Sequence, residues 1–298
     1  MPREPLSDPD SRAERLAALG RAVPAVAFLG SSLLAINAAQ TASLALRPLS
    51  RSAFRKFNRW AADTWWGWCV TGAERLNDVA IVVSGDHVPS AENALVFANH
   101  QQMPDIPFLM AYARSKDRLG DLKWFAKDII KYVPGVGWGM WFLDCPFVKR
   151  DWTSDRGSIE RTFARIRDDR VPLWLITFPE GTRFSQAKAE ANQSYAAAHG
   201  LAQLRHVLLP RTKGFVASVQ GLRSHLDAIY DITIGYDLGV PTLWQYVKGY
   251  ARRAHLHVRR FPVSSMPEDA DELGAWLNER FREKDELLEG FYRSGVFV

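Results

Sequence analysis

Cysteine is scarce in this chain: only Cys69 and Cys145 occur among 298 residues. Two isolated thiols make neither a disulfide framework nor a cysteine metal site, so the sequence reads as a cytosol-facing protein kept in a reducing environment. His255 and His257 alternate as on a strand, but no third ligand stands near them. They read as a surface pair, and no metal is expected. The chain also lacks a Gly-x-Ser-x-Gly elbow, which removes a common serine-nucleophile signature. Net charge is +5, yet no Lys/Arg-rich run is interleaved with aromatics. Phospholipid headgroups or phosphorylated substrates are therefore the expected anionic partners, and nucleic acid is not. Charged residues at 24% and hydrophobic ones at 47% exclude wholesale disorder and a polytopic membrane protein alike. No internal repeat appears and no low-complexity linker follows residue 50, so one catalytic core is expected.

One absence is local. Between Ala22 and Leu46 no side chain ionises, which satisfies the requirement of about 20 apolar residues for a helix crossing a bilayer. Pro24, Gly30, Asn37 and Gln40 interrupt the run, so a single span, a re-entrant hairpin and an in-plane anchor are all open. The acid-containing leader argues against a cleaved signal peptide. Arg47, Arg51, Arg55, Lys56 and Arg59 follow at once and favour a cytoplasmic position against anionic lipid. Eleven tryptophans, several of them at Trp60, Trp65, Trp66 and Trp68, suit a lipid–water boundary. Residues 1–76 are read as a tail and membrane-anchoring helical segment, and residues 77–298 as the catalytic domain.

Beyond Asn77 short apolar runs alternate with amphipathic stretches, which predicts an α/β fold, a mixed sheet flanked by helices. Strands are expected at 80–83, 95–98, 123–126, 146–149, 173–178, 207–210 and 229–234. A charged amphipathic helix is expected at 269–288, with Leu273, Trp276, Leu277, Phe281 and Leu287 as its apolar stripe.

Two of these strand ends carry chemistry. Asn99-His100-Gln101-Gln102-Met103-Pro104-Asp105 follows the run Ala94–Ala98. A carboxylate five residues beyond an imidazole can hold its Nδ1–H and leave Nε2 free to take a proton near neutral pH. Phe178-Pro179-Glu180-Gly181-Thr182-Arg183-Phe184 ends the run Leu173–Thr177. Gly181 permits close backbone approach there, Arg183 offers a planar fork for phosphate oxygens, and Glu180 can orient a cation or a hydroxyl. Between them lies Phe147-Val148-Lys149-Arg150, and after them Leu209-Pro210-Arg211-Thr212-Lys213-Gly214.

In this order the four segments NHQQMPD, PFVKR, FPEGTRF and LLPRTKG resemble the four blocks of the glycerolipid acyltransferase family, which contains the 1-acylglycerol-3-phosphate acyltransferases. The resemblance covers Leu95 to Gly214, including the stretch from Trp124 to Trp138 between the first two blocks. It implies a glycerol-3-phosphate acyltransferase-like fold and transfer of a fatty acyl group from acyl-CoA or acyl carrier protein to a lysophospholipid hydroxyl. His100 would be the base and Asp105 its partner. Asn99, Phe147, Arg150, Glu180, Gly181, Thr182, Arg183, Pro210 and Lys213 would bind substrate. The acyl donor is a co-substrate, no cofactor is implied, and membrane phospholipid and the lysophospholipid acceptor are the expected partners, with no obligate protein partner inferred. Gln102, Asp144 and Phe184 depart from the residues common in these blocks, and LLPRTKGF is similar to subgroups that include lysocardiolipin acyltransferases. The expected location is the bacterial inner membrane, catalytic domain on the cytoplasmic face. Competing readings are a CoA-independent transacylase with the same His and Asp, a silent membrane adaptor, and a thiol enzyme with Cys145 as nucleophile.

Overall fold

The run Ala94–Ala98 has no polar side chain, and such a strand is stable only where both of its faces are covered. The structure, a computed structural model describing residues 4–149 and 152–297, buries all five of its residues at the centre of a six-stranded sheet. In chain order the elements are α1 (Arg12–Ala42), α2 (Arg51–Asn77), β1 (Ala80–Gly85), β2 (Ala94–Ala98), α3 (Asp105–Ser115), β3 (Leu122–Trp124), β4 (Ala126–Lys127), α4 (Val136–Phe142), β5 (Phe147–Val148), α5 (Trp152–Asp168), β6 (Trp174–Thr177), α6 (Gln186–Ala198), α7 (Thr212–Leu222), β7 (Ala228–Gly235), α8 (Leu243–Val247), β8 (Arg253–Pro262) and α9 (Ala270–Ser294). Sheet order is β1-β8-β7-β2-β6-β3, with β7 and β8 antiparallel and every other pairing parallel; β4 and β5 form a small parallel pair. The expected mixed sheet flanked by helices is therefore what forms.

Alternation along β2 builds two cores. Val96 and Ala98 join Phe108, Leu109 and Tyr112 of α3 and Val70 of α2 on one face. Leu95 and Phe97 join Phe163 of α5, Phe215 of α7 and Phe281 of α9 on the other. Truncating a buried Phe of this kind costs about 3–5 kcal/mol.

Four expectations shift. The strand expected at 123–126 is split: β3 stays in the main sheet while β4 pairs with β5. Residues 207–210 are not a strand, because side chains take their main-chain N–H groups: Asp285 accepts from Val207, Glu180 from Leu208 and Asn192 from Leu209. On α9 the buried stripe is Leu273, Leu277, Phe281, Lys284 and Leu288, so a lysine takes a core position and Leu288 replaces Leu287. The Lys284 ammonium is fully buried but satisfied, pairing with Asp231 and donating to Ile232 O at 2.8 Å and Thr233 Oγ1 at 3.0 Å. Nor are the two histidines a surface pair: His255 is buried near Asp237 and Phe291, and His257 meets Ser84.

The segment from Arg12 to Leu46, which contains an 18-residue stretch of mean hydropathy 1.7, is long and apolar enough to cross a membrane. The polar residues that interrupt it turn inward. Asn37 bonds to Gln40 at 3.0 Å and accepts from Gly135 N–H at 2.8 Å, while Asn58 of α2 donates to Ser43 at 3.0 Å. Val23, Val26, Phe28 and Leu34 face outward, so α1 has an apolar exterior and a polar seam against α2 and α4. Arg59 and Asp63 of α2 fasten it to Asp121 and to Gly120 N–H at the start of β3.

Candidate active site

Strands β2 and β6 run parallel, so their carboxyl ends deliver Asn99-His100 and Phe178–Gly181 to the same edge of the sheet. That edge is where open α/β sheets present their ligands. Asn99 anchors the first loop: its amide donates to Ile234 O at 3.0 Å and accepts from Ile234 N–H at 2.8 Å, both on β7. Gln101 makes a second bond to Ile234 O and accepts from Tyr292 O–H at 3.1 Å, tying α9 to the loop. Pro104, with its fixed φ, then starts α3, and Asp105 occupies that helix's first turn, where the macrodipole favours negative charge.

Asp105 is fully buried and surrounded by donors. Its Oδ2 accepts from Gln101 N–H at 2.7 Å and Gln102 N–H at 2.9 Å and lies 2.8 Å from His100 Nδ1, while Oδ1 accepts from Tyr236 O–H at 2.7 Å. A carboxylate oxygen cannot donate, so Nδ1 carries the hydrogen and the Nε2 lone pair is free. Burial and the adjacent Asp105 carboxylate push the Tyr236 hydroxyl well above its ordinary pKa, so it stays a donor. The imidazole stacks on Phe178 with centroids 4.0 Å apart and planes 16° apart, and Trp124 also stacks on Phe178, at 6.3 Å. Three contacts thus fix the imidazole: carboxylate, ring stack and backbone.

Glu180 makes the backbone clamp. One carboxylate oxygen accepts from His100 N–H at 2.6 Å and the other from Leu208 N–H at 3.0 Å, and only 3% of the residue is exposed. The first, third and fourth sequence segments therefore meet on one side chain. Gly181 has φ +67°, a conformation that favours glycine, and a Cβ there would crowd Arg211 Cδ at 3.1 Å, so glycine suits a turn that Arg211 lies across. Arg183 is exposed and donates to Gln102 Oε1 at 2.7 Å, and Thr182 accepts from Lys188 at 2.8 Å.

The predicted residues thus separate by role. His100, Asp105, Glu180, Gly181 and Arg183 come together. Asn99 and Glu180 spend their side chains on main-chain groups, and so hold the loops that carry His100 and Gly181. Phe147 lies in β5 against Ala126, with no hydrogen bond or ring contact to His100 among the described residues. Pro210 ends the loop before α7 and Lys213 is exposed in its first turn. Arg150 lies outside the described residues. Sequence reasoning missed Tyr236 and Arg211. The one stands two residues past the apolar run of β7, and the other within the fourth segment beside the residues chosen. A cavity of 370 Å³ lined by Arg51, Arg55, Lys56, Arg59 and Lys123 opens near the starts of β3 and β6, away from the His100 edge.

The geometry agrees with comparison to known proteins. A model of the Acyltransferase family matches residues 80–237, and one of the Acyltransferase C-terminus matches residues 245–298. The probable 1-acyl-sn-glycerol-3-phosphate acyltransferase 5 of Arabidopsis thaliana is 36% identical over 75% of this chain, which spans 60% of that protein's length. The 1-acyl-sn-glycerol-3-phosphate acyltransferase delta of Homo sapiens is 36% identical over 91% of this chain and 72% of its own. The crystal structure of the 1-acyl-sn-glycerophosphate (LPA) acyltransferase PlsC from Thermotoga maritima matches with TM-score 0.56 over 93% of this chain and 98% of that one; at 17% identity the likeness concerns the fold. The matched family model covers the strand ends that carry His100, Asp105 and the Glu180 turn, and on that agreement the chain belongs to the acyltransferase family.

Proposed function

We propose that this acyltransferase transfers a fatty acyl group from an acyl-CoA or acyl carrier protein thioester to the free hydroxyl of a lysophospholipid, 1-acylglycerol-3-phosphate foremost. The observation that carries the reading is the 2.8 Å contact of His100 Nδ1 with a carboxylate that three other donors hold in place. His100 Nε2 takes the hydroxyl proton as the oxygen attacks the thioester carbonyl. The tetrahedral adduct then expels the thiolate as the C–S bond breaks, and the imidazolium returns the proton to sulfur. Holding both substrates in line makes the step effectively intramolecular, so no covalent enzyme intermediate is required. Arg183 and Arg211 flank the Glu180 turn as cations available to the acceptor's phosphate. The names of the relatives support the acceptor; the donor carrier is part of the proposal.

The chain works at a membrane in this reading, the bacterial inner membrane with its catalytic domain on the cytoplasmic face. The apolar exterior of α1 and the cations that follow it, Arg47 to Arg59, support that orientation. Incubating the purified chain with radiolabelled acyl-CoA and a panel of lysophospholipids tests the reaction. Phosphatidic acid should be the labelled product, and it should vanish in His100→Ala; equal transfer by that variant would end the base assignment.

A further inference from the structure

Apolar side chains in a folded domain normally turn inward, and residues 128–142 break that rule. Ile129 and Tyr132 are each 67% exposed, Val136 54%, Trp138 41% and Trp141 46%. The segment is not loose. Gly137 is packed so closely that a Cβ would lie 1.8 Å from Ile130 O, and Met140 and Ile130 turn into the core, so the outer residues are held out by a rigid frame. We propose that residues 128–142 are a second lipid-contacting element, separate from the apolar face of α1, that seats the catalytic domain in the headgroup layer of a bilayer leaflet.

Continuity chooses lipid as the occupant. Gly135 packs against Leu33 of α1 and donates to Asn37 of its polar seam, so this patch is fastened directly to the helix whose length and hydropathy fit a membrane. Its edge is chemically suited to headgroups: Lys127 is exposed, and Lys131, paired with Asp128 at 2.7 Å, lies 5.0 Å above the Tyr132 ring. Two tryptophans and a tyrosine beside lysines match an interfacial belt more closely than a protein–protein core, which is depleted in Lys. The element leaves the main sheet just after Trp124, whose ring stacks on the Phe178 that supports His100. Docking it would set the catalytic edge at the lipid surface.

The inference rests on the membrane-lipid substrate reading above, so two readouts separate their failures. The full chain, its Trp138→Glu/Trp141→Glu variant and its Trp138→Phe/Trp141→Phe variant are assayed with a short-chain acceptor below its critical micelle concentration. They are then reconstituted into phosphatidylcholine/phosphatidylglycerol vesicles that carry a long-chain acceptor. On the dispersed acceptor all three should turn over within about twofold; on vesicles the Glu pair should raise KM about tenfold and the Phe pair should restore it. An unchanged vesicle KM overturns the inference while leaving acyl transfer intact. Independently of turnover, bromine-labelled acyl chains should quench more tryptophan emission in the parent than in the Phe pair. Equal quenching, or a parent dimer in detergent that the Glu pair converts to monomer, would assign the face to something other than lipid.

Discussion

The two halves of the site are built on opposite plans. Around Asp105 every oxygen is spoken for, the carboxylate is fully buried, and His100 has one orientation open to it. Around Gly181, Arg183 is exposed and donates to the neutral Gln102, and Arg211 lies on the surface across the glycine. A base must be in place before the proton moves, since reorganisation at that moment would add to the barrier. A phosphate grip has a different task. On the proposed reading it meets a flexible, hydrated ligand arriving from a membrane, and exposed guanidinium groups can do so at little desolvation cost. The contrast makes a sharp kinetic claim: damage to the first half should appear in kcat, and damage to the second in KM.

The strongest challenge is His100→Ala, which should lower kcat by about 10³ with little change in acceptor KM, in line with the usual worth of a general base. Asp105→Asn comes next. The amide can keep its oxygen toward the three N–H donors and turn its NH2 to the Tyr236 hydroxyl, but it lacks the charge that stabilises the imidazolium, so kcat should fall by about 10². Tyr236→Phe removes a single donor and leaves the ring packed; kcat should fall about tenfold at unchanged KM, corresponding to about 1.4 kcal/mol of transition-state stabilisation. A loss confined to KM in that variant would place Tyr236 in the acceptor site and break the division. Arg211→Ala should do the reverse, raising acceptor KM about tenfold while kcat holds within about twofold.

The sequence revealed half of this arrangement more fully than the other. His100 and Asp105 are five residues apart on one loop, so their pairing is local and spacing alone suggests it. The Glu180 clamp joins residues 80 apart, and only the order of the four segments hinted that they converge. Tyr236 was hidden because it reaches Asp105 across 131 residues, and an aromatic at a strand end looks like core from sequence alone. The central strands were legible because a parallel strand covered on both faces is uniformly apolar. Residues 207–210 were misleading for the same reason: an apolar run shows that backbone will be buried but not which partners take its N–H groups. Lys284 misled in the other direction, since a periodicity count treats as polar a lysine that the fold places in the core beside Asp231.

The smallest expected effect sharpens the comparison by testing whether a nucleophile belongs in either half. Cys145 lies in the core, 5% exposed, and burial pushes its thiol up to about 11, with the buried Lys123 only partly offsetting the shift. At pH 8 about one thiolate in a thousand would be present, too few for a nucleophile that needs the anion at neutral pH. Cys145→Ala should leave acyl transfer within about twofold, and iodoacetamide at pH 8 should inactivate parent and variant alike only at the rate at which the fold opens. Inactivation of the native parent that Cys145→Ala abolishes would mean the thiol is reached and reactive. The acyl group could then rest on sulfur before reaching the acceptor, and the rigid half of the site would hold a nucleophile's partner instead of the base that activates a lipid hydroxyl.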